Sequence, residues 1–142
     1  MAQPSTFAAT AALAPARKCR RPRIKRQPPD PETGRLCRLA EAAAAAAFAV
    51  PLRALRAPSR CRADIAFARQ SAIYLAHVAL GQNLAAVAAA FGRHRSTAMH
   101  ACRRVEERRD DPVTDALFDT LEDLCRAQSA SSSAPAVAGA QP

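Results

Sequence analysis

The sequence predicts an all-α protein, a small helical domain set between two disordered tails. Three observations carry this reading. Apolar residues recur at helical spacing in successive windows, and no window alternates as a strand does. Alanine, the best helix former, dominates two of these windows, Leu36 to Ala49 and Leu84 to Phe91. Gly and Pro stand between the periodic windows rather than inside them.

Residues 1–34 are rich in Ala, Pro and Arg and show no periodicity. Arg17 to Arg26 (RKCRRPRIKR) is a basic cluster broken by Pro22, so this segment reads as a disordered arm. Its role is either to solubilise or to add phosphate contacts. Residues 35–127 form the predicted helical domain. Leu36 to Ala49 is the first helix, with Leu36, Leu39 and Phe48 as sparse anchors. Pro51 interrupts it and opens a short helix with Leu52 and Leu55 facing inward. Arg56 to Arg62 (RAPSRCR) reads as a basic loop.

Asp64 to Leu80 has the strongest pattern, with Ile65, Ala68, Ala72, Leu75 and Ala79 on one stripe and Tyr74 and His77 mostly opposite. Gly81 stops it as a C-terminal glycine does. Leu84 to Phe91 is a short helix ended by Gly92, and the next begins near Arg95 or Ser96, with Ser96 an available capping oxygen. Its inner face is Ala98, Ala101, Cys102 and Val105. Asp110-Asp111-Pro112 stops that helix and restarts another, with Val113, Leu117, Leu121 and Leu124 expected inward and an end near Arg126. Residues 128–142 read as a disordered tail.

The 142 residues carry a formal net charge of +9, so a polyanionic partner is expected. Nearly all the cation is arginine, which suits bidentate contacts to phosphate and guanine, although Arg and Ala also rise together with genomic GC content. Aromatics are only 4% and Trp is absent, which argues against a stacking platform for single strands. The five cysteines show no CxxC spacing and read as reduced thiols in a cytoplasmic protein. His94, His100 and Cys102 lie close in sequence, but no second ligand pair follows, so neither a metal nor another cofactor is expected. No apolar run is long enough to span a bilayer.

The most specific stretch is Phe91 to Glu107, FGRHRSTAMHACRRVEE. An apolar helix end meets Gly92, then a short basic and polar turn, then a helix with an apolar inner face and arginines outside. That is the layout by which a helix-turn-helix presents a recognition helix to DNA.

From Arg60 to about Val105 the chain resembles the C-terminal, DNA-binding domain of the bacterial replication initiator DnaA. The resemblance covers the basic loop, the ARQSAIYLAHVAL helix, the LAAVAAAFG helix and HACRRVE. It implies a helix-turn-helix of the Trp-repressor-like type. It also implies base reading in the major groove by His94, Arg95 and Ser96, with Thr97 on the phosphate side. Minor-groove and backbone contact would fall to Arg60 and Arg62, and backbone contact to Arg69 and Gln70. Arg93, His100 and Arg103 complete the candidate DNA-binding set. The family domain reads a short asymmetric box as one unit, so a monomer suffices.

The departures are specific. DnaA carries Gly-Gly-Arg-Asp-His-Thr-Thr where this chain has Gly92-Arg93-His94-Arg95-Ser96-Thr97. The Asp-His-Thr triplet becomes His-Arg-Ser, and the minor-groove arginine position falls near Cys61. A changed target site is therefore expected, with Arg95 favouring guanine. No GxxxxGK[ST] phosphate loop occurs, so no nucleotide binding or hydrolysis is expected. No nucleophile–base pair or carboxylate dyad stands in a plausible site, and an enzyme is not expected. The expected function is sequence-preferring binding of double-stranded DNA at the nucleoid, in transcription or in modulation of replication initiation. The alternative is a protein-interaction module on a vestigial helix-turn-helix scaffold.

Overall fold

A computed structural model describes residues 28–58 and 62–133. The predicted basic cluster at 17–26, Arg60 and the last nine residues lie outside that range. Six α-helices follow in order: α1 (Pro31–Ala47), α2 (Leu52–Arg56), α3 (Ala63–Tyr74), α4 (Leu84–Ala90), α5 (Arg95–Arg108) and α6 (Pro112–Ser133). There is no strand among the described residues, so the all-α class holds.

α1 begins four residues before the predicted domain boundary. Asp30 accepts a hydrogen bond from the Glu32 amide at 3.2 Å, and Pro31 sits at the first helical position, where its missing N–H costs nothing. Glu32 pairs with Arg35 one turn on. These cues lie inside the stretch read as an arm, where the density of prolines masked them. α1 ends in a Schellman motif: the Val50 amide bonds to the Ala45 carbonyl, and Ala49 takes φ +50°.

α3 continues into a π-helical turn, Leu75–Ala79, closed by the Leu80 amide on the Leu75 carbonyl at 3.0 Å. Gly81, at φ +64°, ends it as predicted. The loop beyond is pinned by Gln82. It accepts from the Thr33 hydroxyl of α1 at 2.8 Å, and its backbone carbonyl meets His77 Nδ1 at 2.7 Å. Asn83 then caps α4 through the Ala85 amide.

The core joins α1, α3 with its π turn, α4, α5 and α6. Alanines at 40, 68, 72, 76, 98 and 101 bring the helices close, while a run of edge-to-face aromatics supplies the larger apolar area. Phe48, Phe67, Phe118 and Tyr74 form that run, with centroid separations of 5.4, 6.3 and 5.5 Å. A smaller cluster of Ala45, Val50, Leu55 and Ala68 seats α2.

Several sequence-based orientations are corrected. On α6 the buried positions are Phe118, Leu121, Glu122 and Cys125. Val113, Leu117 and Leu124 are exposed, Val113 at 79%. The predicted stripe and the real one differ by about one residue of helix rotation, because the Phe118 ring and the Glu122 carboxylate both turn toward Tyr74. On α2 only Leu55 is buried and Leu52 faces out. Tyr74, expected opposite the apolar stripe, is buried. α6 also runs to Ser133, beyond its predicted end and into the stretch read as tail.

The reason for those inward-facing polar groups is Arg109, between α5 and α6. Its guanidinium donates to Asp115 at 2.6 Å, Asp119 at 2.5 Å, the Tyr74 hydroxyl at 2.9 Å, and Glu122. Burial works against its charge, yet the hydrogen bonds to Asp115, Glu122 and Tyr74 outweigh it and raise its pKa further. Asp111 caps α6 through the Thr114 amide and hydroxyl, as the Asp-Asp-Pro signal predicted.

Candidate nucleic-acid interface

The turn between α4 and α5 is built by Gly92. With φ +63°, it is the left-handed residue of a second Schellman motif. Its own amide bonds to the Ala89 carbonyl, and the Arg93 amide to the Ala88 carbonyl at 2.8 Å. α4 and α5 are therefore two separate helices, as the sequence demanded.

α5 is capped by His94, whose carbonyl accepts from the Ala98 amide. Ser96 is not the cap. It lies in the first helical turn with its side chain exposed, and so does Arg95. Ala98, Ala101, Cys102 and Val105 are buried against α3 and α4, as predicted. That leaves His94, Arg95, Ser96, Thr97, Met99, His100 and Arg103 exposed on the N-terminal part of α5. No described residue bonds any of these side chains. No acid appears on α5 before Glu106. The first turn of a helix also presents unpaired N–H groups and positive dipole, both suited to an anion. Further along, Arg104 pairs with Glu107 at 3.3 Å, whereas Arg103 has no acidic partner among the described residues.

The C-terminal end of α2 is fastened beside this turn. The Ala57 carbonyl receives the Arg69 guanidinium at 3.0 Å and the Arg93 guanidinium at 3.3 Å, across 36 residues of chain. Arg69 also donates to Leu55 at 2.6 Å and Ala54 at 3.1 Å, so it closes the C-terminal end of α2. Arg56 is bound from the other side, donating from Nε and Nη2 to the buried Glu41 at 2.9 and 2.6 Å. Arg69 and Arg93 thus meet at Ala57, just past the C-terminal end of α2 and beside the turn that leads into α5.

Arg62, at the start of α3, is 85% exposed and stands 3.7 Å from Asp64. Gln70 is half-buried on α3. Arg60 lies outside the described residues. Sequence reasoning missed Met99, exposed in the middle of the α5 face. Its spacing of four from both Arg95 and Arg103 was the signal for it. The link through Ala57 had no sequence signal, because a backbone carbonyl has no residue identity. Among the described residues no three His, Cys, Asp or Glu side chains come together as a metal site. No described helix is long and apolar enough to cross a membrane.

Residues 41–105 match the model of the bacterial DnaA protein helix-turn-helix family. That segment is similar to the helix-turn-helix of bacterial DnaA proteins. The same region is similar to curated replication initiators. A protein of Chlamydia trachomatis serovar D described as chromosomal replication initiator protein DnaA 2 is 35% identical over 79 residues, covering 56% of this chain and 16% of its own length. Its counterpart in Chlamydia pneumoniae is 39% identical over 67 residues, 47% of this chain and 15% of that protein. The DnaA 1 protein of Protochlamydia amoebophila is 39% identical over 61 residues, 43% and 13%. This chain spans only 13–16% of the length of those relatives. The DnaA-type match supports DNA binding through the helix-turn-helix.

Proposed function

We propose that this protein binds double-stranded DNA with a sequence preference, through the first turns of α5. The observation that carries the reading is that turn itself. Arg95, Ser96 and Thr97 are exposed, no described side chain engages them, and no acid lies near them on the helix. In the major groove Arg95 reads guanine through two parallel hydrogen bonds. His94 and Ser96 contact neighbouring base edges, and Thr97, His100 and Arg103 face phosphates. The loop carrying Arg60 and Arg62, held at Ala57, adds backbone or minor-groove contacts. Gln70 is a further backbone contact, while Arg69 and Arg93 act by fastening the loop. The protein works at the nucleoid, as a transcriptional regulator or as a modulator of replication initiation that competes for sites. It acts without catalysis.

Selection from random duplex DNA tests this directly and is expected to return one enriched motif containing guanine. On that motif Arg95→Ala is expected to weaken binding by about 1–3 kcal/mol, and far less on random duplex. An equal loss on both would show that Arg95 reads no base. Failure to enrich any motif would favour a protein-docking role for the same basic surface.

A further inference from the structure

Met99 is the single large apolar side chain exposed on α5, at 43%, and it packs in neither core cluster. It stands one turn after Arg95 and one turn before Arg103. Together with Ser96 and His100, these residues line one shallow depression on the outer face of the helix. A cationic depression free of acids takes a polyanion, and the thioether at its centre calls for an apolar spot on that polyanion. In duplex DNA the major groove offers one such group, the C5 methyl of thymine. An unbranched, polarisable side chain adapts well to a lone methyl.

We infer that Met99 is a specificity-determining residue that reads thymine through its C5 methyl, close to the guanine held by Arg95. Four residues of helix rise about 6 Å, so the two bases lie within about two steps of one another. The inference rests on the DNA-binding reading above and adds a base to it.

The test uses the full chain and the duplex returned by random selection. Each thymine is replaced singly by deoxyuridine, which deletes only the methyl group. One position near the Arg95-dependent guanine is expected to lose about fourfold in affinity, the worth of one buried methyl. Met99→Ala is expected to bind the thymine and deoxyuridine duplexes equally, and Met99→Leu to keep the difference. If the protein selects a motif but no deoxyuridine replacement weakens it, or if the loss persists in Met99→Ala, the assignment to Met99 is overturned while DNA reading stands. Absence of any enriched motif would overturn both.

Discussion

Replacing Arg109 by methionine keeps the aliphatic stem and removes the charged fork that ties α5 and α6 to Tyr74. The expected cost follows from the exposure of each partner. Asp115 and Asp119 are 46% and 63% exposed, so solvent screens them and each loss is worth about 0.5 kcal/mol. Glu122 is only 11% exposed. Stripping the counter-ion from a buried carboxylate costs about 3–5 kcal/mol when nothing replaces it. Here Arg126 remains at 2.9 Å and the Tyr74 hydroxyl still donates at 3.2 Å, so about 1–2 kcal/mol is expected. The total is about 2–3 kcal/mol, a large share of the stability of a domain this size. Urea unfolding followed by circular dichroism would show it as a lower midpoint at unchanged slope. A second change, Glu122→Gln, should recover part of the loss in the Arg109→Met background and be destabilising alone, because it removes the stranded charge. A loss below about 0.5 kcal/mol, or strictly additive effects of the two changes, would refute the reasoning.

Other outcomes follow from the same structure. Ala49→Gly should stabilise by about 1 kcal/mol, since Ala49 holds φ +50° where glycine carries no Cβ penalty; the midpoint of thermal unfolding checks it. Burial pushes the Cys37 and Cys102 thiols up to about 11 and raises Cys125 as well. Unfolded thiols then ionise first as pH rises past about 9, so stability should fall between about pH 9 and 11, by at most about 3 kcal/mol for each of Cys37 and Cys102. Urea midpoints at pH 8 and 10.5 measure this, and Cys102→Ala should flatten the difference. Deletion of residues 1–27, which leaves the Asp30 cap intact, should weaken DNA binding with the selected motif unchanged. The salt slope should fall by about 0.9 for each phosphate that the arm neutralises. Equal affinity at every salt concentration would make the arm inert.

The helix-turn-helix was legible because its signals are local. Gly92 must take a left-handed φ, Ala98, Ala101, Cys102 and Val105 share a face, and what remains of α5 is exposed by exclusion. Gly81 and Asp111 were legible for the same reason, as each acts on amides within a few residues. The start of α1 was hidden because Asp30 and Pro31 sit in proline-rich sequence whose average looks disordered. α6 misled because its most apolar stripe, Val113, Leu117, Leu121 and Leu124, lies beside the buried face, and that face carries Glu122, whose inward turn depends on Arg109 and Tyr74 from elsewhere in the chain.

Local order in the chain alone determined that there would be helices, where Gly92 breaks them, and which side of α5 stays outside. Only the tertiary structure decided that Arg69 and Arg93 meet at the Ala57 carbonyl, and that α6 turns Phe118 and Glu122 inward to serve Arg109 and Tyr74. The physical reason is range. Caps, turns and helical periodicity act over a few residues, whereas these contacts join groups up to 48 residues apart and depend on how the helices have already packed.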